Sequence, residues 1–231
     1  MTPPASVPAP ALALRGVTKS YGDRVALDDV DVELHRGELV ALIGANGAGK
    51  STLIQLAAGL LEPTSGEVLV EGVPAGSLDA RRSLSYLADH SALYDDLSVN
   101  EHIEYVARLH GSPERPEAAD ELLAMLRLDG RADDLPARFS RGLRQKTSIV
   151  LALVRPFSVL LVDEPFVGLD PAGQDALAEL LTAAADAGCA VMVATHQLGF
   201  LERVDRCIAL RDGTVAYRGP VDRAVIDPLL D

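Results

Sequence analysis

Residues 44–52 read Gly-Ala-Asn-Gly-Ala-Gly-Lys-Ser-Thr and satisfy the pattern GxxxxGK(S/T). Glycines at these spacings let the backbone curl, so that successive N–H groups and the N-terminus of a following helix point at phosphate oxygens. The lysine supplies a mobile cation and the serine a hydroxyl for Mg²⁺. The residues of this phosphate loop that we expect to contact a nucleotide are Gly44, Asn46, Gly47, Gly49, Lys50, Ser51 and Thr52.

A glycine-rich turn that merely caps a helix is the alternative interpretation of this segment. Background residue frequencies give roughly a one-in-a-hundred chance match in a chain of this length. The apolar run 39–43 directly before the loop and a helical pattern directly after it supply the context that the motif requires. We therefore interpret residues 44–52 as a phosphate-binding loop.

Two adjacent acids end a second apolar run, Val159–Val162. A strand that ends this way places Asp163 beside a magnesium ion and Glu164 where it can polarise a water molecule in line with a γ-phosphate. Without the phosphate loop, a solvated turn would be the better interpretation of an Asp-Glu pair. The two motifs together predict nucleotide hydrolysis.

The elements that must position these residues follow from hydrophobic periodicity. Most of residues 12–73 alternates as strands do, with one helix from Lys50 to about Gly59, whereas residues 98–154 have a helical period. Downstream, the pattern predicts a strand at 159–162, a helix at 176–187, a strand at 190–194, a short helix from 198 and a hairpin around 212–213. We predict an α/β fold: a P-loop NTPase core with an N-terminal antiparallel β sub-domain and an α-helical sub-domain inserted at about 77–157.

Composition limits the remaining possibilities. The 231 residues, 48% apolar and 24% charged, suffice for one globular domain at 11–231, after a Pro- and Ala-rich segment at 1–10 that we predict to be disordered. The net charge of −13 argues against nucleic acid as the main partner. Two cysteines cannot form a disulfide framework, and no run approaches the roughly 20 apolar residues that span a bilayer. A cytoplasmic protein is the expectation.

The sequence from Leu12 to about Gly219 resembles the nucleotide-binding subunits of ATP-binding cassette (ABC) transporters, in which these motifs occur in the same order. The segment 139–145, Phe-Ser-Arg-Gly-Leu-Arg-Gln, is similar to the family signature LSGGQ. The resemblance implies that Ser140 and Gly142 contact the γ-phosphate held by the opposite subunit. It also implies a head-to-tail dimer, since the signature lies on the insertion and Lys50 on the core.

Three further positions match the family pattern. Asp170, in Gly-Leu-Asp at 168–170, matches the loop that lines the subunit interface. His196 matches the histidine expected to hydrogen-bond the γ-phosphate and to hold the attacking water together with Glu164. Tyr21 matches the aromatic residue that stacks on adenine. Each match is weak alone, because N-caps, surface histidines and packed tyrosines are common, but the ordered set is specific.

The resemblance implies an ATPase that uses ATP and Mg²⁺ and drives a separate transmembrane permease. The second cassette is an identical or a different chain, and the assembly lies peripherally on the cytoplasmic face of the membrane. The signature variant looks most like exporters of the multidrug and heme type. One alternative is a soluble cassette ATPase of translation or DNA repair. Another is a regulatory cassette in a heterodimer, against which the intact Lys50, Asp163, Glu164 and His196 argue.

Three positions depart from the family pattern, and one of them is Leu151, which stands in the helix after Gln145 where an arginine is common. Arg141 replaces the first glycine of the signature, and Asp89 stands where the family usually has a glutamine that touches Mg²⁺ and the attacking water. Our hypothesis is that Asp89 binds the metal, directly or through water, together with Ser51 and Asp163. His90 takes that role if the loop is shifted by one position. The remaining alternative is that neither side chain reaches the nucleotide.

Overall fold

The computed structural model describes residues 9–90, 92–112 and 116–229. Apart from residues 9 and 10, the predicted tail lies outside this range. The strands are β1 (Leu12–Tyr21), β2 (Arg24–Leu34), β3 (Leu39–Ile43), β4 (Ser65–Val70), β5 (Val73–Pro74), β6 (Leu84–Leu87), β7 (Val159–Asp163), β8 (Ala190–Ala194), β9 (Arg206–Arg211) and β10 (Thr214–Gly219). The α-helices are α1 (Lys50–Ala57), α2 (Leu78–Ser83), α3 (Val99–Leu109), α4 (Ala118–Met125), α5 (Arg141–Leu153), α6 (Pro171–Asp186) and α7 (Arg223–Ile226).

Short 3₁₀ helices complete the described elements, at Asp129–Arg131, Pro136–Arg138, Leu198–Arg203 and Asp227–Leu229. The predicted short helix from residue 198 is therefore a 3₁₀ helix. In the ranges that the structure covers, no helix is long and apolar enough to cross a membrane.

A six-stranded sheet forms the centre, in the order β10-β9-β3-β8-β7-β6. All neighbours are parallel except β10, which pairs antiparallel with β9. Every residue of β3, β7 and β8 is buried, which explains why these strands are continuous apolar runs. The carboxyl ends of β3, β8, β7 and β6 lie side by side at one edge of the sheet, where α/β folds place their ligands.

The second sheet is antiparallel, in the order β2-β1-β4-β5, as the alternation of the N-terminal third predicts. Helix α1 packs against both sheets: Leu53 and Leu56 share one buried cluster with Leu12 of β1 and with Leu42 and Leu161 of the central sheet. Burying such aliphatic side chains contributes about 1.5–3 kcal/mol each. This cluster fixes the start of α1, and with it the phosphate loop.

The helical insertion covers the opposite face of the central sheet. Ile103 of α3, Leu123 of α4 and Ile149 of α5 form one buried cluster with Leu160 and Val162 of β7. Strand β6 was not predicted and lies inside the predicted insertion at 77–157, yet it pairs with β7 and belongs to the central sheet. The α-helices of the insertion therefore begin at α3, and α2 and β6 belong with the core.

Candidate nucleotide-binding site

The phosphate loop joins β3 to α1, and at two of its glycines, Gly44 and Gly49, any other residue would collide with a neighbouring strand. Gly44 has φ 147°, and a Cβ there would collide with the carbonyl oxygen of Leu210. Gly49 has φ 107°, and its Cβ would lie 2.7 Å from Leu27 Cδ2. The spacing of these glycines is thus required by the close approach of the loop to β2 and β9.

Lys50 is the first residue of α1 and is only 7% exposed. Its Nζ donates hydrogen bonds to the carbonyl oxygens of Gly44 (2.7 Å) and Ala45 (3.2 Å). Since an ammonium group has three N–H donors, the described contacts leave one for a phosphate oxygen. The lysine ammonium is therefore held over the phosphate loop, where we expect it to bind a phosphate.

A cavity of about 380 Å³ opens beside this loop, and a second one of about 310 Å³ adjoins its other side. Residues that line the first are Tyr21, Arg24, Ala26, Asn46, Gly47, Gly49, Lys50, Ser51, Thr52 and Glu164. Those that line the second are Gly44, Ala45, Asn46, His196 and Leu198. The predicted residues of the phosphate loop all line one cavity or the other, and Tyr21 lines the first.

Tyr21 is half exposed, and the Lys19 ammonium lies 5.2 Å from the centre of its ring. An exposed aromatic face of this kind suits stacking on a nucleobase. Arg24 lines the same cavity and was not predicted from the sequence. Its position three residues after Tyr21, at the start of β2, is the signal that could have found it.

Asp163 ends β7 and is 3% exposed. Burial raises the pKa of this carboxyl, as do the charges of Glu164 and Asp89, whereas a hydrogen bond from Ser51 and the charge of Lys50 lower it. Its Oδ1 is buried without a partner among the described residues. An orphaned carboxylate oxygen beside a hydroxyl is a donor set that fits a hard divalent cation, so Ser51 and Asp163 are suited to hold Mg²⁺.

Glu164 and His196 follow the neighbouring strands β7 and β8, and the structure brings their side chains together. The Nδ1 of His196 lies 2.8 Å from Oε2 of Glu164. Glu164 has φ 46°, in the left-handed region that residues other than glycine rarely adopt, and its N–H donates to the Ala194 carbonyl at 2.9 Å. Backbone strain at one acidic residue in a cavity is a feature of functional sites.

Ser140, Gly142 and Asp170 lie elsewhere. Ser140 precedes α5, and its hydroxyl accepts a hydrogen bond from the Leu143 N–H at 3.3 Å. Gly142 packs against Gly168, since a Cβ on Gly142 would lie 2.6 Å from the Gly168 carbonyl oxygen. None of the three predicted residues is among those that line the two cavities. One chain therefore does not bring them to Lys50.

Asp89 and His90 follow β6, at the edge of the central sheet. His90 Nδ1 lies 3.0 Å from Asp89 Oδ2, and the side chains are 91% and 35% exposed, respectively. Burial and the charges of Asp163 and Asp89 raise the pKa of Tyr86 to about 12. Asp89 is thus close enough to affect both Tyr86 and Asp163, whereas His90 lies in solvent.

A parallel sheet whose strand ends carry a GxxxxGK(S/T) loop, an Asp-Glu pair and a histidine defines the phosphate-loop nucleoside triphosphatases. Within that class, the ABC transporter family model matches residues 27–167 of this chain. The chain belongs to the ABC transporter family and is an ATP-hydrolysing cassette of the kind that powers transport through a membrane partner. The predicted family, fold and ATPase activity are confirmed.

Alignments with curated relatives cover most of this chain and most of each relative. The SkfA peptide export ATP-binding protein SkfE of Bacillus subtilis is 34% identical over 205 residues, which are 87% of this chain and 86% of that protein. The ABC-type transporter ATP-binding protein EcsA of B. subtilis is 36% identical over 216 residues, 90% of this chain and 86% of that one. A methionine import ATP-binding protein, MetN of Brucella abortus, is 34% identical over 97% of this chain and 64% of its own length.

Solved structures of ABC cassettes superpose on the whole fold. An ATP-binding subunit of an ABC transporter matches with TM-score 0.86 and 34% identity, and the match covers 95% of this chain and 94% of that chain. A bacterial ABC transporter cassette solved as a dimer matches with TM-score 0.83 and 27% identity, covering 91% and 99%. The same cassette has been solved in a post-hydrolysis state bound to ADP and phosphate, with TM-score 0.82 and 27% identity, again covering 91% and 99%.

Proposed function

We propose that this chain binds ATP between Tyr21 and the phosphate loop and hydrolyses it with Glu164 as the general base. The observation that carries the proposal is the 2.8 Å contact between Glu164 and His196, at the ends of neighbouring strands beside Lys50. Glu164 accepts a proton from the attacking water, and Lys50 and the loop N–H groups bind the phosphates. Ser51 and Asp163 would hold Mg²⁺, which would neutralise phosphate charge.

His196 links the base to the phosphate. Its Nδ1 lies 2.8 Å from Glu164 Oε2, which leaves Nε2 on the other side of the ring to meet a phosphate oxygen. The histidine then holds Glu164 in place with one ring nitrogen and a γ-phosphate oxygen with the other. This arrangement orients Glu164 toward the water.

A second cassette completes the site. Ser140 and the N-terminus of the 13-residue helix α5 lie outside both cavities. Because a helix N-terminus offers free N–H groups and a positive dipole end, it suits a γ-phosphate that approaches from another subunit. Ser140, Gly142 and Asp170 of each subunit are placed by this dimer at the nucleotide of the other.

The membrane partner is a separate permease on whose cytoplasmic face the cassette lies. A groove of about 530 Å³ runs between β6, α3 and α5, lined in part by Leu87, Val106, Leu151 and Arg155. The segment that carries Asp89 borders the groove, so an occupant of the groove acts directly on the edge of the nucleotide site. Likeness to SkfE supports export as the direction of transport.

Nucleotide-dependent dimerisation tests the ATPase and the shared site together. Glu164→Gln is expected to bind Mg-ATP without hydrolysis and to elute as a dimer in gel filtration, whereas Glu164→Gln with Lys50→Ala remains a monomer. If the double variant Glu164→Gln, Ser140→Arg no longer forms a dimer, the signature segment lies at the shared site. A Glu164→Gln variant that turns over ATP at the wild-type rate removes Glu164 from the proposed role.

Purification of the tagged chain from its own cells separates transporter from soluble ATPase. A polytopic membrane protein in stoichiometric amount is expected, and its reconstitution in inside-out vesicles with external ATP gives substrate accumulation if the system exports. Ribosomes or DNA in place of a membrane protein support the soluble alternative, and release from preloaded vesicles establishes import.

A further inference from the structure

Helix α5 lies directly against the loop of residues 164–170, which runs from the candidate base to the start of α6. Two contacts near the helix N-terminus are to main-chain atoms of this loop. Gly142 faces the Gly168 carbonyl at a distance that leaves no room for a Cβ. One turn later, Gln145, which is 4% exposed, donates from Nε2 to the Pro165 carbonyl oxygen at 3.1 Å. The residue so held is the one directly after Glu164.

Lys146 adds an ion pair at the other end of the loop. Its Nζ lies 2.7 Å from Oδ1 of Asp170, and its side chain is 9% exposed. Gly173 leaves space for this pair, since a Cβ there would lie 2.9 Å from Lys146 Cε. The hydrogen bond from Lys146 is the main reason why the pKa of Asp170 lies below its ordinary value. A buried ammonium is retained only with such a partner.

Apolar packing against α5 holds the middle of the loop in place. Phe166 and Leu169 are 3% and 7% exposed and belong to the same buried cluster as Ile149 and Val150 of α5. At its start, the loop is held by the bond from the Glu164 N–H to the Ala194 carbonyl. Glu164 therefore lies between two supports, β8 on one side and α5 on the other.

We propose that Gln145 and Lys146 are positioning residues of the ATPase reaction, which clamp the 164–170 loop to α5 so that the two move as one body. The role rests on the proposed function, in which Glu164 is the base and Ser140 contacts the nucleotide of the other subunit. A shift of α5 on closing over that nucleotide is then transmitted through Gln145 and Lys146 to Glu164 in the same chain. Neither residue touches ATP.

Three variants and one control test the clamp in the full chain. Gln145→Met and Lys146→Met remove the donors while keeping side-chain volume, and Lys146→Arg retains the charge. Thr147→Val is the matched control, because the hydrogen bond that it removes, from Thr147 Oγ1 to the Leu143 carbonyl at 2.9 Å, lies within the same helix.

We expect each Met variant to lower kcat by about tenfold, since small misplacements of a catalytic group have effects of this size. The dissociation constant for Mg-ATP changes by less than about twofold, because the clamp acts on the chemical step and not on binding. Lys146→Arg restores most of the kcat, and Thr147→Val keeps it. In a Glu164→Gln background, Lys146→Met causes no further loss, because its effect passes through Glu164.

Amide hydrogen exchange gives a readout independent of catalysis. Both Met variants are expected to speed exchange in peptides covering 164–170, with the N-terminal sheet unchanged. Wild-type kcat in both Met variants, or an equal loss of kcat with and without Glu164, overturns the proposal, as does unchanged exchange in the loop. Failure of the proposed function looks different: the wild-type chain itself does not hydrolyse ATP, while the exchange difference still reports the clamp.

Discussion

The two sides of the nucleotide site are held in place in different ways. Lys50 and Glu164 follow interior strands of the central sheet. Carbonyl oxygens of the phosphate loop hold Lys50, whereas His196 and the neighbouring strand β8 hold Glu164. Asp89 follows the edge strand β6, and its closest ionic contact is with the exposed His90 next to it. The interior side is thus preorganised for chemistry by the sheet itself, while the edge side is free to respond to whatever occupies the adjoining groove. Substitutions on the two sides should therefore differ in size and in kind.

The largest effect is expected at Glu164. Glu164→Gln keeps the hydrogen bond to His196 but cannot accept the proton of the attacking water, so kcat should fall about 100- to 10,000-fold. ATP affinity should stay near that of the wild type, as measured by equilibrium binding of a fluorescent ATP analogue. His196→Ala should lower kcat less, because Glu164 keeps its backbone support from Ala194. A larger loss in His196→Ala than in Glu164→Gln would reverse the assigned roles.

Next in size is the loss of Lys50. Lys50→Ala removes the charged donor over the phosphate loop, and one charged hydrogen bond of about 1.5–3 kcal/mol corresponds to about a 10- to 100-fold weaker affinity for Mg-ATP. Isothermal titration calorimetry measures this change. Arg223→Ala, which removes a surface cation paired with Asp227 far along the chain, is the control and should bind as the wild type does. Normal binding by Lys50→Ala would contradict the assignment of the phosphate loop.

The interior side of the site could be predicted from the sequence because its physical requirements are local. A run of apolar residues buried on both faces of a sheet, such as 159–162, is visible in the sequence without knowledge of its neighbours in space. The spacing of the glycines in the phosphate loop likewise predicts a tightly curved backbone from the sequence alone. The predicted residues Asp163, Glu164 and His196 therefore lie together, as parallel strand ends require.

The residues that escaped prediction depend on contacts between distant parts of the chain. Strand β6 has four residues, includes Ser85, and becomes a strand only by pairing with β7. Lys146 is one turn beyond Gly142 on α5, but nothing in its neighbourhood in the sequence names Asp170 as its partner. Such positions need the fold before their role can be seen.

A smaller effect, on stability, is expected at Asp163. Burial raises the pKa of Asp163 in the folded state, so between the ordinary value of 3.8 and the raised one the folded protein binds more protons, and stability falls as the pH rises through that window. Asp163→Asn should therefore raise the Tm of the nucleotide-free protein at pH 7.5 by about 2–4 °C, which is about 1 kcal/mol, while Mg²⁺-dependent ATPase activity is lost.

Calorimetric scans at several pH values check this linkage. The gain in Tm should disappear near pH 3.5, where the carboxyl is protonated in both states. A variant that is less stable than the wild type at pH 7.5 would show that the carboxylate contributes more through its bond from Ser51 than it costs through burial.

The smallest effect is expected on the edge side, at Asp89 and His90. The Asp89 carboxylate is near enough to Asp163 to raise its pKa, whereas the His90 side chain is 91% exposed. Carboxylates are the oxygen ligands that Mg²⁺ accepts, and a bound cation would relieve the repulsion between the charges of Asp89 and Asp163. Asp89→Asn should raise the Mg²⁺ concentration for half-maximal ATPase activity a few-fold, and His90→Ala should change it little.

Asp89→Gln separates charge from reach in the same titration. Gln is longer than Asp by one methylene and neutral, so it retains an oxygen at the metal but removes the charge that attracts it. If charge is what matters, Asp89→Gln behaves as Asp89→Asn does and needs a higher Mg²⁺ concentration for half-maximal activity. If reach matters more, Asp89→Gln matches or exceeds the wild type. A response confined to His90→Ala makes His90 the functional residue. Wild-type titrations in all three variants mean that this loop has no contact with the nucleotide, and that the edge of the sheet serves the groove alone.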